Sequence, residues 1–202
     1  MINMQRPLRI AVADDERDTR EFLHELLPRL GHEVVAVAET GRQLVERCRA
    51  GRPDLIITDI KMPDMDGIEA AEEVNRDRHV PVILVSAHHD AELLVRAGAD
   101  HIMAYLVKPV KAADLIAAIA MALRRFEQFQ AVCAEAATLR QALEDRKVIE
   151  RAKGAIMRRL VVPEAEAFDR LLRQASDRNR RLVEVAREIL TAEETFQALE
   201  RG

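Results

Sequence analysis

Asp54-Leu55-Ile56-Ile57-Thr58-Asp59-Ile60-Lys61-Met62-Pro63-Asp64-Met65-Asp66-Gly67 holds a short apolar run, Leu55 to Ile57, that ends in one carboxylate and then breaks into a Pro/Gly turn. That pattern predicts a buried strand delivering Asp59 to a loop. In an open parallel sheet, ligands and chemistry gather at the carboxyl ends of the strands. Three other stretches lead to the same edge. Leu8 to Ala13 ends in Asp14-Asp15-Glu16, Val82 to Val85 ends in Ser86-Ala87, and Ala104 to Val107 ends in Lys108-Pro109. Carboxylates, a hydroxyl and an ammonium are thereby expected to converge.

Outward from this stretch, strands alternate with amphipathic helices and no hairpin signal intervenes. The strands are expected near residues 8–13, 32–38, 55–59, 80–85 and 101–107. The helices are expected near 18–30, 41–50, 67–75 and 90–97. In the first of them Phe22, Leu23, Leu26, Leu27 and Leu30 are assigned to the inner face. This alternation predicts an α/β fold, a flavodoxin-like, doubly wound, five-stranded parallel sheet in the order 2-1-3-4-5.

From Lys111 the character changes. Neither Pro nor Gly occurs between Val110 and Lys153, and Ala, Leu, Arg, Glu and Gln dominate. One long helix is expected, and Phe129, Val132, Ala136, Leu139 and Leu143 recur at spacings of 3, 4, 3 and 4, a heptad seam that predicts a coiled coil. After a break at Val162-Pro163, helices are expected at 164–175 and 182–190. With the end of the long helix they would form a small three-helix module, with Phe168, Leu171 and Leu172 among its core residues. The expected division is 1–124, 125–143 and 144–202.

The chain has 202 residues, 49% hydrophobic and 33% charged, and a net charge of −4. These values fit a globular protein. No apolar run approaches the roughly 20 residues that span a bilayer, and no export signal is apparent, so a cytoplasmic location without membrane contact is expected. Cys48 and Cys133 form no paired motif and read as reduced thiols. Residues 144–190 carry 12 Lys and Arg against 9 Asp and Glu, a local +3 that leaves −7 on the remainder. A polyanionic partner is therefore expected for the C-terminal part alone.

The acid pair, the Asp-x-x-x-Pro turn, Ser-Ala and Lys-Pro, in this order over residues 8–126, resemble the CheY-like receiver domain of two-component response regulators. The resemblance implies that a sensor histidine kinase phosphorylates Asp59, a carboxylate able to form an acyl phosphate. Such transfer needs charge neutralisation and in-line positioning more than acid–base chemistry. Mg²⁺ suits it, as a hard ion using few protein carboxylates. The implied ligands are Asp14, Asp15, Asp59 and the Lys61 backbone carbonyl. Lys108 and Ser86 would contact phosphoryl oxygens, and Tyr105 would turn inward. Lys61 and His88 would flank the group, and the Lys108–Pro109 bond is typically cis.

Arg146 to Met157, Glu166 to Ala175 and Asp177 to Leu182, with Val185-Ala186, resemble the ANTAR domain over about residues 143–190. That resemblance implies binding of paired RNA hairpins and transcription antitermination, by a regulator that is not an enzyme; the heptad seam is expected to pair two chains when the receiver is phosphorylated. Leu160-Val161-Val162-Pro163 departs from the pattern, which usually has a Gly-containing turn there. Arg151, Lys153, Arg158, Arg159, Arg178, Arg180 and Arg181 form the expected phosphate footprint, and Asn179 could read a base edge. DNA binding or a protein-scaffold role remain alternative outputs.

Overall fold

The computed structural model describes residues 6–87 and 101–200. Its strands are β1 (Arg9–Ala13), β2 (Glu33–Ala38), β3 (Leu55–Asp59), β4 (Val82–Ser86) and β5 (Ile102–Val107). All pair in parallel, in the order β2-β1-β3-β4-β5. The helices are α1 (Arg17–Arg29), α2 (Gly41–Gly51), α3 (Gly67–Asp77), α4 (Ala112–Leu160), α5 (Glu164–Asp177) and α6 (Leu182–Glu200). The helix expected at 90–97 and the flanking His88 lie outside the described residues.

Two compact units result, residues 1–131 and 132–202. In the first, β3 and β4 are buried along their whole length. This is why they read as continuous apolar runs rather than alternating ones. The sheet has a core on each face. On one, Leu23 and Leu27 of α1 and Leu115, Ile119 and Phe126 of α4 pack on Ile10, Ile57 and Ile83. On the other, Leu44 and Val45 of α2 and Ile68 and Ala71 of α3 pack on Ala11, Ile56 and Leu84. Each such fully buried Leu or Ile contributes roughly 1.5–3 kcal/mol. Thr40 and Asp66 cap α2 and α3 by accepting from the Gln43 and Glu69 amides.

Two residues, one expected on an inner face and one in the heptad seam, differ from expectation. Phe22 is 43% exposed, because Leu23 and Leu27 occupy the centre of the stripe and Phe22 falls at its edge. Phe129 packs on the first core, with its ring edge-on to His79 at a centroid distance of 6.2 Å. The unpartnered part of the heptad seam therefore begins at Val132.

In the second unit, Ala152 of α4, Leu171 and Ala175 of α5, and Val185 and Ala186 of α6 form a small core. Phe168 and Leu172, expected inside, are 37% and 41% exposed. The buried positions of α5 are Ala167, Leu171 and Ala175, spaced by four, and Phe168 and Leu172 lie one residue, about 100°, off that stripe. The last helix runs to Glu200 instead of ending at 190, with neither Gly nor Pro to stop it. Val161 and Asn179 follow α4 and α5 with φ of 53° and 50°. In the second of these turns the Arg180 amide donates to the Ala175 carbonyl and the Asn179 amide to that of Ser176, closing off the helix end.

Candidate functional site

At the carboxyl edge of the sheet, β1 delivers Asp14, β3 delivers Asp59, β4 delivers Ser86 and β5 delivers Lys108. Thr58, wholly buried beside Asp59, donates its hydroxyl to the Asp59 carbonyl at 2.9 Å. The Lys61 amide donates to Asp59 Oδ1 at 3.3 Å. Gly67 is dictated by the same turn, since a Cβ there would lie 1.8 Å from the Asp59 carbonyl oxygen.

The Lys108 ammonium is the hub. It lies 2.7 Å from Asp59 Oδ2, 3.1 Å from Asp14 Oδ1 and 3.1 Å from Glu16 Oε2. Burial pulls the Lys108 pKa down, but hydrogen bonds to Asp59, Asp14 and Glu16 outweigh it and leave the group above the ordinary lysine value. Asp14 behaves the other way. Its burial raises the carboxyl above the usual carboxylate range, aided by the Asp59 charge and against hydrogen bonds from Lys108 and the Glu16 amide. The Lys108 hydrogen bonds also hold exposed Glu16 below its ordinary value. The Lys108–Pro109 bond is cis, and the Lys108 amide donates to the Ser86 carbonyl at 2.8 Å. Tyr105, half-buried on β5, packs against the α2–α3 face of the sheet.

Asp14, Asp15 and Asp59 each offer a carboxylate oxygen within 4.8 Å of the others. Asp14 Oδ2 is buried and accepts no hydrogen bond, although it lies 2.9 Å from the Lys108 nitrogen. Hard oxygen donors and crowded like charges, Asp14 and Asp59 buried among them, fit a divalent cation such as Mg²⁺.

Sequence reading missed two members of this pocket. Glu16 shares the Lys108 ammonium. Arg20 of α1 donates to the Asp14 and Asp15 carbonyls at 2.8 Å each and pairs with Glu39, which fixes the acidic loop. The acidic triplet pointed to Glu16, but nothing local marked Arg20.

In the second unit the expected basic residues are all present, and each faces a carboxylate. Arg151 pairs with Glu194, Arg158 and Arg159 with Glu193, Arg178 with Glu188, Arg180 with Glu184 and Glu188, and Arg181 with Asp145. Lys153 is nearly buried, and its ammonium sits 2.6 Å from Glu150 and 2.7 Å from Glu164, which raises its pKa. It thereby ties α4 to the first turn of α5. Asn179 occupies a left-handed turn position that Asn tolerates better than most residues, so its residue type has a backbone reason independent of any ligand. Arg140, Arg146 and Arg173 are the cations of this unit that face no carboxylate among the described residues.

Among the described residues no helix is long and apolar enough to cross a membrane. The chain matches the response regulator receiver domain over residues 10–120 and the ANTAR domain over residues 137–190. It is 41% identical over 184 residues to the transcriptional regulatory protein PdtaR of Mycobacterium tuberculosis, covering 91% of this chain and 90% of that one. It is 37% identical over 112 residues to the chemotaxis protein CheY of Bacillus subtilis, covering 55% of this chain and 93% of that one. Among solved structures, a response regulator receiver domain protein from Clostridium thermocellum superposes with a TM-score of 0.54 at 31% identity, over 59% of this chain and 97% of that one.

Proposed function

We propose a function for a chain that belongs to the response regulator family and joins a receiver domain to a C-terminal ANTAR domain. A sensor histidine kinase phosphorylates Asp59, and the modification governs pairing of two chains and binding of tandem RNA hairpins, by which transcription termination is prevented. The functional division is a receiver to residue 124, a connecting helical segment 125–143 and an output module from 144.

The observation that carries the receiver reading is the Lys108 ammonium held within 3.1 Å of Asp14 and Asp59 at the edge where β1, β3 and β5 end. A bond forms between an Asp59 carboxylate oxygen and phosphorus while the donor's phosphorus–nitrogen bond breaks. Lys108 stands where it can pass from the carboxylate to a phosphoryl oxygen, and Ser86, buried beside it, offers a hydroxyl to another. Asp14, Asp15, Asp59 and the Lys61 carbonyl would hold Mg²⁺, which supplies neutralisation of phosphoryl charge. Tyr105 then repacks inward. The added charge of about −1.5 to −2 biases the receiver between two states.

In the output module, Arg151, Arg158, Arg159, Arg178, Arg180 and Arg181 contact RNA phosphates, and Asn179 reads a base edge. Lys153 contributes chiefly by holding α5 in place.

One experiment tests the whole reading. The protein and its Asp59→Asn variant are incubated with Mg²⁺ and acetyl phosphate, analysed by mass spectrometry, and titrated with tandem-hairpin RNA and with duplex DNA of equal charge. Labelling of Asp59 with tighter hairpin binding is expected. Labelling elsewhere, or equal affinity for the DNA, would overturn the corresponding half.

A further inference from the structure

We propose that the end of α6, residues 191–200, is a built-in competitor for the phosphate-binding arginines of α4, a regulation that rests on the RNA reading above. These residues lie beyond the stretch matched by the ANTAR domain, which ends at residue 190. They are helical in the same element, α6.

Three of their side chains meet arginines of α4. Arg151 and Arg158, seven residues apart, lie on one stripe of the helix, and Arg159 stands about 100° round from Arg158. Glu194 lies 3.7 Å from Arg151, and Glu193 lies 4.0 Å from Arg158 and 3.5 Å from Arg159. Phe196 completes the contact, with the Arg159 guanidinium 4.0 Å from the centre of its ring. Glu193 is only 15% exposed, so it sits between the two arginines it serves rather than waving beside them.

The chemistry is that of a ligand mimic. Carboxylates spaced along a helix present acceptors to the guanidinium groups that RNA phosphates would take, and an aromatic ring covers the guanidinium plane as a stacked base would. Because the arginines themselves are 47–67% exposed, the contacts are individually weak and displaceable. A competitor of this kind lowers affinity without abolishing binding. It also makes the module more discriminating, since an RNA must replace several contacts at once.

The test uses the full-length protein and three variants. Glu193→Gln/Glu194→Gln removes the carboxylates. Phe196→Ala removes the ring with no change in charge. Asp169→Asn/Glu135→Gln removes two exposed carboxylates that pair with no arginine among the described residues, as a charge-matched control. Each is checked for helicity by circular dichroism and titrated with tandem-hairpin RNA and, separately, with inorganic tripolyphosphate. The glutamate double variant should bind RNA about fivefold or more tightly than the wild type, Phe196→Ala about two- to fivefold, and the control less than about twofold. Equal affinity of wild type and both tail variants for RNA would overturn the competitor and leave the RNA reading standing. Failure of every protein to bind RNA, with the tail variants still gaining on tripolyphosphate, would overturn the RNA reading and leave the competitor standing. A gain by the control as large as by the double variant would reduce the effect to net charge and overturn the proposal.

Discussion

The Lys108 ammonium lies 2.7 Å from the Asp59 carboxylate, 49 residues away in sequence, and in the same grasp holds Asp14. An internal cation thus occupies the ground between acids that would otherwise repel. Removing it should cost stability, because a buried charge stripped of its partner is expensive. For Lys108→Met we expect a loss of about 2 kcal/mol, on the low side because Asp15 and Glu16 leave the pocket open to water. Added Mg²⁺ should restore much of that loss, and should stabilise Lys108→Met more than the wild type. Thermal denaturation of both proteins with and without Mg²⁺ measures this. An equal Mg²⁺ effect on the two would separate the ion from this pocket.

Gly67 stands at the other wall of the same loop. A Cβ there would lie 1.8 Å from the Asp59 carbonyl oxygen and 2.8 Å from the Thr58 hydroxyl, and neither can retreat from a fully buried strand end. Gly67→Ala should therefore destabilise by at least about 2–3 kcal/mol and displace Asp59. Urea denaturation reports the first effect, and the rate of Asp59 labelling by acetyl phosphate the second. Wild-type values for both would refute the steric argument.

The receiver was legible in sequence because its signals are local. Strand ends, a Pro/Gly turn and a Lys-Pro step each place one group, and parallel pairing brings those ends to one edge. What stayed hidden depends on rotation about helix axes and on pairing at long range. Phe22 and Phe168 follow apolar spacing, yet each is displaced to the edge of its stripe by a neighbour better aligned with the core. Arg20 reaches the acidic loop only because α1 turns it there, and Arg151 finds Glu194 across 43 positions. The length of α6 was open to inspection, since residues 182–200 hold no Gly or Pro, but the ANTAR resemblance stopped at 190.

Val161 carries a β-branched side chain at φ 53°, where such residues are strained by roughly 1–2 kcal/mol. Its side chain is 90% exposed, so little burial is lost on removing it. Against this, glycine adds freedom to the unfolded chain worth about 0.5–1 kcal/mol. Val161→Gly should on balance stabilise by about 0.5–1 kcal/mol, read from the urea midpoint. A lower midpoint would mean that the turn is held by contacts of the valine itself.

His32 provides a pH test. Burial lowers its pKa below the ordinary 6.5. The folded state therefore prefers the neutral ring. Its contribution is fully present above pH 6.5 and is lost as pH falls through the lowered folded value. The wild type should lose more stability between pH 7.5 and 5.5 than His32→Gln does, as measured by urea midpoints at both values. Parallel losses would assign the acid sensitivity to other groups.

The seam beyond Phe129 provides the last prediction. Val132, Leu139 and Leu143 are 64%, 60% and 59% exposed, spaced by seven and four along α4. Each would contribute roughly 1–2 kcal/mol if a second copy covered it, but exposed as they are they contribute almost nothing. Parallel pairing along this stripe would place each leucine against its equivalent, so Leu139→Lys would set two ammonium groups face to face in an apolar seam. The wild type treated with Mg²⁺ and acetyl phosphate should show the mass of a dimer by light scattering, and Leu139→Lys the mass of a monomer under the same conditions. Circular dichroism should show unchanged helicity, because lysine is a good helix former and residue 139 belongs to none of the three cores. Identical masses for both proteins, with and without the phosphodonor, would remove the seam as the site of pairing.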